Sequence, residues 1–167
     1  MKESTNDILN DKAKLDERNK IYGTNKYEWD ERAQKLLEDK FDHKKGFREN
    51  QKEIINAVMS GKDVMGLIPT GGGKSLTFQI PALLKKGVTF VIMPLKSLIM
   101  DQCQFCEIHS IPFFDLSSNN KNIRSQTKFH DALQRISNLE FKIVFCTPER
   151  VAKIDDIVDK SHETESE

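Results

Sequence analysis

The sequence has little of several things that would each settle a class. Three cysteines, Cys103, Cys106 and Cys146, are too few and too odd in number for a disulfide framework. No run of 18 apolar residues occurs, so nothing reads as a membrane-spanning helix, and the first 20 residues carry too much charge for a secretory leader. Both absences point to an intracellular protein. Net charge is missing too: 26 basic residues balance 26 acidic ones, leaving no global field to attract nucleic acid or a membrane surface. No internal repeat stands out. What is present is 37% hydrophobic and 31% charged residues over 167 positions, enough for one soluble domain with a core and hardly for two.

The charge is unevenly spread. Residues 1–50 hold 12 of each sign, residues 51–150 hold 12 basic and 8 acidic, and the last 17 hold 2 basic and 6 acidic. A mildly basic middle therefore ends in an acidic tail, which permits nucleic-acid binding without requiring it. This divides the chain into a polar N-terminal extension (1–28), a folded body (29–154) and an acidic tail (155–167), whose composition predicts no folded structure.

Within the extension, Ile8, Leu15 and Tyr22 are spaced by seven; this is either a short coiled-coil seam or a solvated helix. Trp29, Ala33, Leu36, Leu37 and Phe41 then recur at helical spacing, and 50–60 repeats the signal before Gly61 stops it. From there the pattern alternates. Short apolar runs at 64–68, 88–93, 112–116 and 141–146 read as strands, separated by helical stretches at 74–86, 95–109 and 122–138. Apolar strands alternating with helices predict a three-layer α/β/α fold around a parallel sheet. Pro81 should kink or interrupt the first of these helices, because it lacks an N–H and crowds the preceding turn.

The segment "LIPTGGGKS" (67–75) follows the first predicted strand and opens a helix. Glycines tolerate positive φ and leave room for consecutive N–H groups to converge on one anion. The helix behind them adds free N–H groups and the positive end of its dipole. The pattern is that of a P-loop, with Pro69, Thr70, Gly71, Gly72, Gly73, Lys74 and Ser75 against the phosphates. Lys74 would reach the β- and γ-phosphates of ATP, and the Ser75 hydroxyl would sit on Mg²⁺. Ile68 stands where the general pattern begins with glycine. The bland alternative is a glycine-rich turn beside a chance lysine.

"PTGGGKS" followed by "QIPALL" resembles the first motif of RecQ-family DNA helicases, within superfamily 2, whose members replace that first glycine. Three more stretches agree in order. "GFRENQ" is similar to the family's adenine-recognition motif, implying base contacts from Arg48 and Gln51; a planar amide such as Gln51 donates and accepts at one edge. The segment from Phe41 to Phe47 is one residue longer than the family's, and Asp42 replaces its usual glycine, so the side chain that stacks on the base is open. "PLKSLIMDQ" (94–102) resembles motif Ia and "CTPER" (146–150) motif Ib. By that resemblance Pro94, Ser97, Gln102, Thr147 and Arg150 face single-stranded or partly duplex DNA. The lead-in "YEWDERAQKLLEDKF" is most like the short human-type members.

The resemblance covers roughly residues 29 to 154. It implies a P-loop NTPase lobe of RecA-like fold, incomplete, with a helical extension before it. It also implies ATP-dependent 3′ to 5′ unwinding in DNA repair and recombination, and a nuclear location. The family's D-E-x-H box, which supplies the metal-side acid and the base for the attacking water, does not occur in these 167 residues, nor does the second lobe with its arginine finger. Asp115, after an apolar run, is the best substitute acid, but Leu116 follows it instead of Glu; Asp155 and Asp156 fit less well. Two further readings stay open: a non-motor module that binds nucleotide and nucleic acid, and an unrelated P-loop enzyme such as a nucleotide kinase. Cys103, Cys106 and His109 fall near one helix face but lack a fourth zinc ligand, so small buried thiols are the simpler reading.

Overall fold

The computed structural model describes residues 20–48, 50–117 and 126–152. Ile8 and Leu15 of the heptad-spaced set, and the acidic ending with Asp155 and Asp156, lie outside these. The chain divides into two compact units, with the boundary between Lys85 and Lys86.

The first unit is helical. Residues 20–24 form a helical turn, followed by α1 (Asp30–Phe41), α2 (Gln51–Met59) and α3 (Leu76–Leu84). Helix α1 places Asp30 and Glu31 in its first turn and Lys40 in its last, matching the sign of the helix dipole at each end. Its buried stripe is Ala33, Leu37 and Phe41, four residues apart. Asp42 ends it at φ 53°, and the His43 N–H returns to the Leu37 carbonyl at 3.0 Å. A left-handed position favours glycine, and a short polar residue such as Asp is the next most tolerant choice. Helix α2 packs on α3. Buried Asn56 ties two segments: its Oδ1 accepts from Trp29 Nε1 at 2.8 Å and its Nδ2 donates to the Tyr22 carbonyl at 2.7 Å.

Two expectations fail in this unit. Residues 64–68 form no strand: Met65 is 92% and Leu67 88% exposed, and the unit contains no other strand among its described residues. An apolar run of strand composition has no ladder to join there, and a strand cannot form without a partner for its N–H and C=O groups. Of the two outcomes expected of Pro81, interruption does not occur: it lies inside α3, and the Lys85 N–H still reaches the Pro81 carbonyl at 2.9 Å. Removing one donor late in a nine-residue helix leaves the turns on either side able to form.

The second unit is the layered α/β part. Its elements are β1 (Thr89–Ile92), α4 (Lys96–Ile108), β2 (Phe113–Asp115), α5 (Gln126–Ser137) and β3 (Ile143–Cys146), with a further helical turn from Pro148. The strands run parallel in the order β1-β3-β2, with Thr89 and Phe113 both level with Ile143. Central β3 is buried at all four positions, as a strand covered on both faces must be. Alternation sends Val144 and Cys146 to one face, where they pack with Phe129, Ala132 and Ile136 of α5, Leu116 and Phe141. The opposite face, carrying Ile143 and Phe145, meets α4, whose Ile99 and Cys106 are fully buried. Helix, sheet, helix: the predicted three-layer parallel arrangement is present, as a partial RecA-like α/β domain with three strands.

Candidate functional site

The glycine loop folds as a cradle. Gly71 and Gly73 both take φ 77° with Gly72 between them, an alternation that turns successive N–H groups toward one side. Gly72 donates to the Pro69 carbonyl at 3.0 Å, which closes the turn. The N–H groups of Gly71, Gly73, Lys74 and Ser75 donate to no described residue. Ser75 stands at the N-cap of α3 and makes no side-chain cap bond, so its hydroxyl is left for another partner. Lys74 Nζ lies back across the loop, 3.3 Å from the Ile68 carbonyl and 3.2 Å from that of Pro69. Four free amides, a lysine and a helix N-terminus fit a polyphosphate, and the Ser75 hydroxyl fits the Mg²⁺ that travels with it.

Arg48 and Gln51 come to this loop, but not as a free base-reading edge. Gln51 is 1% exposed. Its Oε1 accepts from the Arg48 N–H at 2.7 Å, and its Nε2 donates to the carbonyls of Gly72 at 3.3 Å and Gly73 at 3.0 Å. The Arg48 guanidinium donates through Nη1 to the Gly71 carbonyl and is otherwise exposed. A Cβ on Gly73 would lie 2.3 Å from Gln51 Nε2, so a side chain there would have to push this amide aside, and the φ of 77° favours glycine independently.

The motifs of the second unit converge for a topological reason. β1 and β3 are neighbours, so "PLKSLIMDQ" and "CTPER" both leave the carboxyl edge of the sheet side by side, where open α/β sheets bind ligands. The Met93 N–H donates to the Cys146 carbonyl at 2.9 Å and extends that pairing past both strands. Pro94 and Ser97 are exposed and Gln102 half-buried. Thr147 is buried, and its carbonyl accepts from Arg150 and Val151, starting the last helical turn. Arg150 braces its own unit: Nε donates to the Leu116 carbonyl at 3.2 Å, and the guanidinium lies 4.9 Å from the centre of the Phe129 ring.

Two charged residues at this edge were not picked out from the sequence. Glu149 has its carboxyl held below the usual range, first by its own backbone N–H, then by the Thr147 hydroxyl, with Lys96 adding attraction. Lys96, in the first motif segment, thus acts electrostatically on an acid in the second. The Thr-Pro-Glu order at a helix start was the available signal, since an acid in a first turn takes free N–H groups.

Asp115 ends β2 at the far edge of the sheet, and its Oδ1 accepts from the Ser117 N–H at 2.8 Å. Burial pushes the Cys103 thiol up to about 12, with Asp115 and Cys106 adding to it, and Cys106 up to about 11; Cys146 is raised for the same reason. These are protonated packing groups, and among the described residues no three His, Cys, Asp or Glu side chains gather to hold a metal.

The DEAD/DEAH box helicase family model matches residues 48–165. The chain is 42% identical over 128 residues to the ATP-dependent DNA helicase Q-like 2 of Arabidopsis thaliana, covering 76% of this chain and 18% of that protein. It is 41% identical over 130 residues to the ATP-dependent DNA helicase hus2/rqh1 of Schizosaccharomyces pombe, covering 75% and 10%. Against the rat ATP-dependent DNA helicase Q1 it is 37% identical over 127 residues, covering 76% and 20%. The chain thus spans a fifth or less of the length of these relatives.

Proposed function

Since the chain belongs to the DEAD/DEAH box helicase family, on its RecQ branch, we propose that it is the ATP-binding portion of a 3′ to 5′ DNA helicase. The observation that carries this reading is the cradle of free amides at Gly71, Gly73, Lys74 and Ser75, with Lys74 above it. Lys74 would hold the β- and γ-phosphates in place of the two carbonyls it now touches, and the Ser75 hydroxyl would hold Mg²⁺. When bound, ATP supplies the phosphoanhydride whose cleavage drives movement; these residues bind and orient it. Arg48 and Gln51 bond to the carbonyls of the same loop and complete the nucleotide site.

Pro94, Ser97, Gln102, Thr147 and Arg150 mark the DNA-facing edge. Exposed Ser97 donates to a phosphate, and buried Thr147 acts by setting the backbone that follows it. Work on DNA in repair and recombination, in the nucleus, follows from the same reading. Among the described residues no helix is long and apolar enough to cross a membrane.

A second reading rests on one observation: the 167 residues contain no D-E-x-H box. On that reading the chain is a module that binds nucleotide and single-stranded nucleic acid without unwinding. Titration of the chain with a fluorescent ATP analogue, followed by a strand-displacement assay, tests both. Binding that Lys74→Ala abolishes, with no unwinding, fits the chain as the binding part of either. The mass of the native polypeptide in its own cells then separates them. A species several-fold above 19.2 kDa favours the helicase, and one at 19.2 kDa favours the module. An unmodified chain that binds no ATP sinks both.

A further inference from the structure

Three parts of the second unit meet at one side chain. Leu116, fully buried just past the end of β2, donates its N–H to the Phe145 carbonyl at 2.8 Å. Its own carbonyl accepts from Arg150 Nε at 3.2 Å, a contact across 34 residues. The Arg150 guanidinium also lies 4.9 Å from the centre of the Phe129 ring, which is buried with Leu116 in one core cluster against α5. The N–H groups of Arg150 and Val151 return to the Thr147 carbonyl at 2.9 and 3.2 Å, so the same residue belongs to the turn that carries "CTPER". Val151 packs on that cluster as well. A guanidinium suits this place better than an ammonium, because its flat face stacks on a ring while an N–H at its edge donates in plane. Engaged through Nε and covered on one face, Arg150 would have to give up both contacts to swing toward a phosphate. Pro148 and Glu149, just before it, are the exposed residues of the turn.

We infer that Arg150 is a positioning residue for the DNA-facing turn at 147–150, not a phosphate ligand: it clamps that turn to the exit of β2 and to α5, and so sets where Thr147, Pro148 and Glu149 stand beside "PLKSLIMDQ". The inference rests on the DNA-binding reading and refines it, because it gives Arg150 a mechanical role where the motif alone suggests a charge contact. Phe129 and Leu116, which lie outside every motif, become part of the device.

The test measures binding of a fluorescein-labelled single-stranded oligothymidylate by anisotropy across a series of salt concentrations. It compares the intact chain with Arg150→Ala, Arg150→Lys and Phe129→Leu. A lost clamp predicts about fivefold weaker binding in Arg150→Ala at every salt concentration, with the slope of log affinity against log salt unchanged. Arg150→Lys keeps the charge but not the flat donor and should behave like Arg150→Ala. Phe129→Leu removes only the ring and should shift affinity in the same direction, again at constant slope. A slope shallower by about 0.7 in Arg150→Ala, or affinity restored in Arg150→Lys, would identify a phosphate contact and overturn the inference. Unchanged affinity in Arg150→Ala overturns it too.

Hydrogen exchange without DNA is the second readout. In Arg150→Ala the amides of positions 150 and 151, which donate to Thr147, should exchange faster while the β3 amides keep their protection. Unchanged exchange at both positions overturns the clamp, as does loss of protection throughout β3, which would mean a general packing role. Arg150→Lys carries the same comparison if Arg150→Ala does not fold. If the unmodified chain binds no DNA, the DNA-facing reading fails, and the exchange result alone decides the clamp.

Discussion

At the scale of single residues, the glycine loop separates what binds from what shapes. Lys74 is exposed and holds only two carbonyls of its own loop, so it can exchange them for phosphate with little rearrangement. Lys74→Ala is expected to abolish ATP binding while leaving the urea midpoint of the chain unchanged within error; a fluorescent-nucleotide titration beside a urea melt checks both. The thiols give the opposite case. Burial penalises the Cys103 thiolate and pushes the thiol up to about 12. Its thiolate fraction at pH 8 is therefore far below that of a free cysteine. Alkylation by iodoacetamide should be very slow in the folded chain at pH 8, accelerate as pH rises toward 12, and become fast at pH 8 once urea unfolds it. The sign for stability follows. A pKa raised by folding leaves the folded state holding more protons between about 9 and 12, so this contribution is full below pH 9 and is lost as pH rises through that window.

Elements were legible where a period had somewhere to bury its face. Helices α1, α2 and α4 fall within a residue or two of the ranges read from apolar spacing, and three of four predicted strands form. β3 is the clearest case, since "IVFC" is apolar at every position and lies between two strands and two helices. Phe145 is fully buried there, and Phe145→Ala should cost about 3–5 kcal/mol, read from urea unfolding by circular dichroism. A loss below 1 kcal/mol would mean that β3 is not the centre of its sheet. The link through Asn56 was not legible, because nothing local in Trp29 or Tyr22 points 27 or 34 residues ahead. Asn56→Ala leaves the indole N–H without its acceptor and should cost about 1–3 kcal/mol. Trp29, the only tryptophan, reports it directly through its fluorescence.

For the molecule as a whole, the sheet of the second unit ends, among the described residues, at β1, whose Phe90 and Ile92 are about half exposed. An apolar edge strand is a template for pairing with another chain. Purified chain is expected to self-associate with rising concentration, and Phe90→Lys to suppress this, as followed by light scattering; equal scattering from both would place the association elsewhere. The exposed run at 64–68 adds to the same tendency, since Met65 and Leu67 offer strand-forming apolar surface without a ladder. Family membership rests on residues 48–165, which hold the glycine loop and the segments 94–102 and 146–150.

The sequence by itself determined the order and type of most elements and the position of the phosphate loop, because apolar period and glycine spacing are local properties. It also carried the family resemblance, through four short motifs in order. The tertiary structure decided what those motifs touch. It turned Gln51 inward onto Gly72 and Gly73, set motifs Ia and Ib side by side by inserting β3 next to β1, and left 64–68 without a strand partner. Each of those outcomes depends on which backbone group finds which partner across a long stretch of chain, and pairing of that kind leaves no local mark in composition or period.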